Sequence, residues 1–331
     1  MLTIHCLEVV AEAVTPLELD TYCGSALRGA FFRAMWGRFC TNRESPTCSA
    51  CPLVMACPVS TLIAPLRDEA SHGRDVPRPY VISPPYKEQN RYEQGETFTF
   101  CLSLIGTSTK LFPYVIRSFQ EMERSRFGHP LTELKGRRGQ FSIREVRTHH
   151  PFTEERQILW EKGSTRPQKP QLVVTQDDVA KRAEQLPIDH VAINFLSPTR
   201  LILGNHLLYH PKFEALILRL IDRLEQLHCE YGEHGANRPN TSFSVREQYH
   251  EAAIQAKEIQ LTRDETHWVD IKSYSARIKQ VTPIGGFVGR ASFEGDMTKL
   301  RELLVWGEVL HVGKNAVKGD GLYQIENTTI D

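Results

Sequence analysis

The sequence predicts an α+β chain built as two ferredoxin-like (RRM-like) domains in tandem, the first carrying a cysteine-rich insertion. Three observations predict it. In the first half, apolar residues recur with strand and helix periods in the order strand, helix, strand, strand, helix, strand. The second half begins again with a strand and repeats that order. The length of 331 residues suffices for two domains, and 40% hydrophobic with 24% charged residues is an ordinary globular composition. The boundary is expected near residue 180, which gives domains 1–180 and 181–331.

Several classes drop out on composition. No apolar run has the length of a membrane span. Residues 1–10 alternate like a strand and lack a basic region or cleavage site, so a secretion signal is not expected and a cytoplasmic protein is. Formal net charge is zero, which argues against a non-specific coat on nucleic acid but leaves room for a local basic groove.

The elements follow in order. Residues 3–13 read as a strand. Residues 22–38 read as a helix, because Leu27, Phe31, Met35 and Phe39 recur at helical spacing beside Ala26, Ala30 and Ala34. Around Arg28 the helix is lined by small residues, so a facing strand or a phosphate can approach its backbone. Four cysteines come next, Cys40, Cys48, Cys51 and Cys57, in an insertion over 40–57. A C-x-x-C pair with two flanking thiols suits a structural zinc, or an iron–sulfur cluster; disulfides or idle thiols are the alternatives. The insertion has few large apolar residues and needs a staple, so this metal is expected to support folding and no cofactor is assigned to catalysis.

Residues 62–76 read as a loop and 78–85, with repeated prolines, as an edge segment. A strand over 97–105 and a helix over 112–126 lead to a loop over 127–139 and a strand over 140–147. Arg124, Arg126, Lys135, Arg137, Arg138, Arg144 and Arg147 make this the most basic stretch of the first half, either a solvated loop or a contact to an RNA backbone. Residues 154–174 hold two short strand-like runs, and 176–186 read as a charged connection. In the second half, strands are expected over 191–195, 266–274, 285–293 and 322–326, and helices over 211–231, 242–256 and 297–306. The glycines within 285–293 suggest a bend or the close approach of another chain.

The densest signal is Gly307 to Gly321, which holds four glycines, Lys314, Lys318 and His311 between an apolar helix and a short strand. Glycine lets consecutive N–H groups point into one concavity, which suits a phosphate, and the lysines add charge. Five residues separate the first glycine from Gly313-Lys314 and Asn315 follows, so this is not a nucleotide P-loop. A solvated turn is the plain alternative. His311 is the one histidine inside the loop and titrates near neutral pH unless perturbed; a cap on the preceding helix is its plain alternative.

Gly307-Glu-x-Leu-His-Val-Gly-Lys314 followed by Gly319-x-Gly-x-Tyr323 resembles the C-terminal glycine-rich loop of the CRISPR-associated pre-crRNA-processing endoribonucleases of the RAMP superfamily. The resemblance extends to Phe195-x-Ser-Pro-Thr-Arg-Leu201, Trp268-Val-Asp270, Tyr274-Ser-x-Arg277 and Gly285-Gly-Phe-Val-Gly289, in that order. In the first half it covers Leu27-Arg-Gly-Ala-Phe31, the cysteine cluster and Pro84-Pro85. It implies an RNA-binding endoribonuclease that cuts CRISPR repeat RNA to crRNA without a metal, leaving a 2′,3′-cyclic phosphate and a 5′-OH. Its partners would be repeat RNA or crRNA and other CRISPR effector subunits, with no membrane. The alternative is a non-catalytic RAMP subunit that holds crRNA within an effector complex.

Such cleavage needs a base at the 2′-OH and a cation at the phosphorane. The expected set is His311 for proton transfer, Lys314 and Arg28 for charge, and Tyr274 in reserve. Much of the family uses a histidine or tyrosine on the first helix; here that helix has no histidine and Tyr22 lies at its very start. RNA contacts are expected from Arg137, Arg138, Arg277, Arg290, Gly313, Lys318, Gly319 and Gly321.

Overall fold

The computed structural model describes residues 2–65, 76–86, 89–233, 244–275 and 280–326. The chain divides into two compact units, Met1–Val174 with Glu230–Glu233, and Thr175–Cys229 with His234–Asp331.

In the first unit, β1 (Ile4–Ala13), β2 (Tyr80–Ser83), β3 (Thr97–Ile105), β6 (Phe141–His149) and β7 (Arg156–Glu161) form one antiparallel sheet in the order β2-β3-β1-β6-β7. Helices α1 (Gly24–Phe39) and α2 (Phe112–Met122) complete the β-α-β-β-α-β order. β1 turns Leu7, Val9, Ala11 and Ala13 inward, the period-two face that burial selects. The alanines of α1 let it approach closely, and Phe31 meets Tyr80 at 5.5 Å and Phe119 at 5.8 Å. The proline-flanked β2 is an edge strand, as its sequence requires. Between α2 and β6 the basic stretch is a hairpin, β4 (Phe127–Leu131) and β5 (Arg137–Gly139), where a loop was expected. Its turn places Lys135 and Gly136 at φ 55° and 74°.

The second unit repeats the plan. β8 (His190–Thr199), α4 (Phe213–Tyr231), β9 (Gln260–Val269), β12 (Gly286–Glu294), α5 (Arg301–Leu310) and β13 (Tyr323–Glu326) give an antiparallel sheet ordered β9-β12-β8-β13. Phe195 packs edge-on against Phe287 at 5.0 Å, and Phe213 meets Phe293 at 5.0 Å. Between β9 and β12 stands a hairpin, β10 (Lys272–Ser275) with β11 (Gln280–Pro283), so the strand expected over 266–274 is two strands.

One expectation changes class. Residues 176–186 are no mere connection but contain a helix, α3 (Gln176–Glu184). Thr175 caps it: its hydroxyl accepts from the Asp178 N–H, and Asp178 Oδ2 accepts from the Thr175 N–H at 2.9 Å. No helix among the described residues is long and apolar enough to cross a membrane.

Candidate nucleic-acid interface

The glycine-rich loop connects α5 to β13, and three of its glycines take left-handed backbone, Gly313 (φ 79°), Gly319 (φ 93°) and Gly321 (φ 72°). The close neighbours are backbone. A Cβ at Gly313 would stand 2.5 Å from the Arg200 carbonyl oxygen, and one at Gly321 1.8 Å from that of Val312. Val312 donates to Gly321, Lys314 to the Arg200 carbonyl at 3.1 Å, and Gly321 to the Pro198 carbonyl at 3.1 Å. Leu322 N–H donates to Ser197 Oγ at 2.8 Å. The expected phosphate cradle is therefore not built from these N–H groups, which hold the loop against residues 197–200 instead. Gly319 and Gly321 are buried, Gly313 and Lys318 half-buried, and Lys314 is exposed.

The same contacts explain the separated motifs. Residues 195–201, 285–289 and 307–323 meet in one place. Gly286 has no room for a side chain because the Thr199 backbone lies 2.6 Å from where its Cβ would stand; the close approach is made by a segment of this same chain, where a bend or another chain was expected. Arg200 Nη1 donates to the Gly285 carbonyl at 3.1 Å, and its guanidinium lies 5.8 Å from the Trp268 ring centre.

His311 takes a different place from the expected one. It ends α5 with its N–H on the Gly307 carbonyl, at φ 58° and ψ 166°, a region glycine ordinarily occupies. Its ring is 1% exposed, and Nδ1 donates to the Asp320 carbonyl at 3.2 Å. Burial, with the Arg223 charge second, pushes its pKa down to about 3. A ring that is neutral and sealed at physiological pH is poorly suited to take a proton from RNA; the helix-terminus role fits it. Arg223 is itself half-buried, donates Nε to the Leu310 carbonyl at 2.7 Å, and has its pKa lowered by desolvation to about 10. Burial raises Asp320 to about 8, against the Lys318 charge and an Asn315 hydrogen bond. Sequence reasoning passed over Asp320 and Arg223, although a charged residue between two glycines and an arginine on an apolar helix face were visible signals.

Residues 193–323 match the family model for the CRISPR-associated endoribonuclease Cas6. The second half of the chain is thus similar to the Cas6 family over that stretch. Residues 2–172 match a family described only as an N-terminal domain, and the chain belongs to that family by its first half. No curated protein matches the chain. Among solved structures, a partial Cas6-RT-Cas1–Cas2 complex is similar over 99% of this chain with TM-score 0.58 at 12% identity; the chain spans 47% of that protein's length. A Cas6 product complex gives TM-score 0.52 at 14% identity, covering 97% of this chain and 99% of that one. Thermus thermophilus Cas6 gives TM-score 0.50 at 12% identity, covering 98% and 99%. At these identities the likeness shows a shared fold, the tandem ferredoxin-like arrangement.

The remaining expected residues fall into three groups. In the second unit, Arg290 on β12 pairs with Glu326 at 2.8 Å, so its charge is already paired. Tyr274 lies on β10 opposite Val281; its side chain and the whole of Arg277 lie outside the described residues. In the first unit, Arg28 on α1 is half-buried, with its guanidinium 5.3 Å from the Phe32 ring centre. Arg137 and Arg138 are exposed on the β4–β5 hairpin with Arg126 and Lys135, while Arg144 and Arg147 pair with Glu12 and Glu8 at 3.2 and 2.5 Å. The basic stretch thus separates into an exposed hairpin and a paired sheet face.

Cys40, Cys48, Cys51 and Cys57 line a single cavity of about 250 Å³, and none is in a disulfide. Asn42 bridges them, accepting from the Cys40 thiol and donating to Cys51 Sγ, each at 3.6 Å. Burial raises the Cys48 thiol first, then the neighbouring Cys57, Cys40 and Cys51. The donor chemistry suits a thiophilic metal. The arrangement is open, since among the described residues no group of three or more His, Cys, Asp or Glu side chains is set around a metal position.

Proposed function

We propose that this protein is an endoribonuclease that cleaves CRISPR repeat RNA to crRNA. The observation that carries the reading is the match to the Cas6 family over the stretch whose motifs meet at the glycine-rich loop. The proposed chemistry is attack of the 2′-OH on the adjacent phosphorus, giving a 2′,3′-cyclic phosphate and a 5′-OH without a catalytic metal. Lys314, exposed at the loop where Arg200 anchors the backbone, supplies charge to the phosphorane. Tyr274 is the candidate for proton transfer. His311 is assigned a positioning role, holding the loop that presents Lys314. The exposed hairpin cations Arg137 and Arg138 bind the RNA backbone.

The similar structures include a Cas6 product complex and a Cas6-RT-Cas1–Cas2 complex, which supports product retention and CRISPR protein partners here. The burial of the one histidine in the loop favours a second reading, a crRNA-holding subunit without cleavage. Single-turnover incubation with the adjacent repeat RNA separates the two: cleavage supports the enzyme, and binding without cleavage supports the subunit.

The four clustered cysteines are proposed to close on one structural zinc, with an iron–sulfur cluster as the other outcome. Elemental analysis of the purified protein is expected to give about one zinc per chain. A metal-free preparation of undiminished thermal stability would refute the staple.

A further inference from the structure

We propose that Tyr209 and Trp268 form a stacking platform for an unpaired RNA base beside the glycine-rich loop. The inference rests on the RNA-cleaving or RNA-holding reading above and names a contact that reading leaves open.

Tyr209 is 57% exposed, and its ring lies 4.6 Å from that of Trp268 at an interplanar angle of 49°. Trp268 is held on several sides. Its Nε1 donates to Asp270 Oδ1 at 2.9 Å, and the Arg200 guanidinium lies 5.8 Å from its ring centre. Arg200 is fixed in turn by the Gly285 carbonyl, and its own carbonyl accepts the Lys314 N–H. Beside Tyr209, His210 Nδ1 bonds Asp264 Oδ2 at 2.8 Å.

A surface indole held by a carboxylate, a guanidinium and a second ring is ordered without being buried. Folding gains little from that order, whereas a ligand with a flat face gains a site whose entropy has already been lost. Every nucleobase has such a face, and stacking on Trp or Tyr with an arginine nearby is the common mode for unpaired strands. Continuity with Lys314 favours RNA over an apolar peptide: a strand whose phosphate meets Lys314 passes Arg200 and brings a neighbouring base to the rings. Because Asp270, Arg200 and Gly285 all lie in motif positions, the platform also accounts for why Trp268-Val-Asp270 belongs with the loop.

The test is a titration of the full chain with its adjacent repeat RNA, comparing wild type, Tyr209→Ala, Trp268→Ala, Trp268→Phe and Lys314→Ala at several salt concentrations. Wild-type binding decides the RNA reading by itself. Given that binding, Tyr209→Ala and Trp268→Ala are expected to weaken it roughly ten- to hundredfold, with Trp268→Phe retaining part of the affinity. Their salt slope should equal the wild type's, because stacking releases no counterions, whereas Lys314→Ala should reduce the slope by about one. Tyr209→Ala removes only an exposed ring, so it keeps the test valid if Trp268→Ala melts early. Wild-type affinity in Tyr209→Ala and Trp268→Phe, or a change in their salt slope like that of Lys314→Ala, overturns the platform.

Discussion

His311 and Asp320, joined by one hydrogen bond, titrate in opposite senses. Burial lowers the His311 pKa from 6.5 to about 3, so the unfolded chain binds the extra proton between those values. Its contribution is present above pH 6.5 and is lost as pH falls through about 3. Burial raises Asp320 from 3.8 to about 8, so the folded chain binds the extra proton. Its contribution is present below pH 3.8 and is lost as pH rises through about 8. The charges facing this pair are Arg223 and Lys318. Between pH 6.5 and 8 Asp320 acts and His311 does not, with Glu308, raised by burial to about 7, adding in the same sense at the lower end, so stability should decline there. Asp320→Asn should flatten that decline, read as melting temperature against pH; an unchanged slope would contradict the assignment. His311→Ala should cost about 2–4 kcal/mol of stability and slow cleavage while leaving the pH profile of cleavage in shape. A general base would change that profile. For His311 the sequence offered both proton transfer and a cap on the preceding helix, and it could not choose between them because histidine spacing says nothing of burial; the fold seats it at the helix end with its ring bonded to the Asp320 carbonyl.

At the scale of elements, α5 and β13 meet at Gly307. A Cβ there would stand 1.9 Å from the Tyr323 hydroxyl oxygen, which donates to the Leu304 carbonyl at 2.6 Å in the core. Gly307→Ala should therefore destabilise the protein by about 2–4 kcal/mol, although alanine favours helices, and Tyr323→Phe in the same chain should recover part of the loss. Denaturant unfolding reads both. An unaffected Gly307→Ala would mean that the helix and strand are farther apart. The helical and strand periods of the large elements were legible because burial of one face dictates them. Helix α3 was not, since its nine residues are mostly polar; its mark was the Thr175–Asp178 cap, which the charge of the segment obscured. The glycines of 307–321 were read as room for a phosphate, yet the neighbours of Gly313 and Gly321 are backbone carbonyls and that of Gly307 is a tyrosine hydroxyl. Sequence marks a glycine as permitting a close approach and is silent on what approaches.

On the scale of the whole molecule, a chain of zero net charge must bind RNA through local cations. Exchanging Arg137 and Arg138 for Glu should weaken repeat-RNA binding and lower its salt slope by about two or more, since two phosphate contacts are lost. Unchanged affinity would mean a hairpin that is only solvated. The duplicated β-α-β-β-α-β plan was legible because each half repeats a full set of periods, and the motifs at 195–201, 268–270, 285–289 and 307–323 pointed to residues that the fold joins around Arg200. Their chemistry was less legible, because proton transfer depends on burial and on contacts across several segments. The central claim is that the chain cuts repeat RNA through charge presented by the glycine-rich loop. The most direct measurement is single-turnover cleavage of the adjacent repeat RNA, with excess protein in chelator, for wild type and Lys314→Ala. The account predicts a 2′,3′-cyclic phosphate product from the wild type and a rate lower by on the order of 10² in Lys314→Ala. Repeat RNA bound but left intact by the wild type, or cut equally fast by Lys314→Ala, would contradict it.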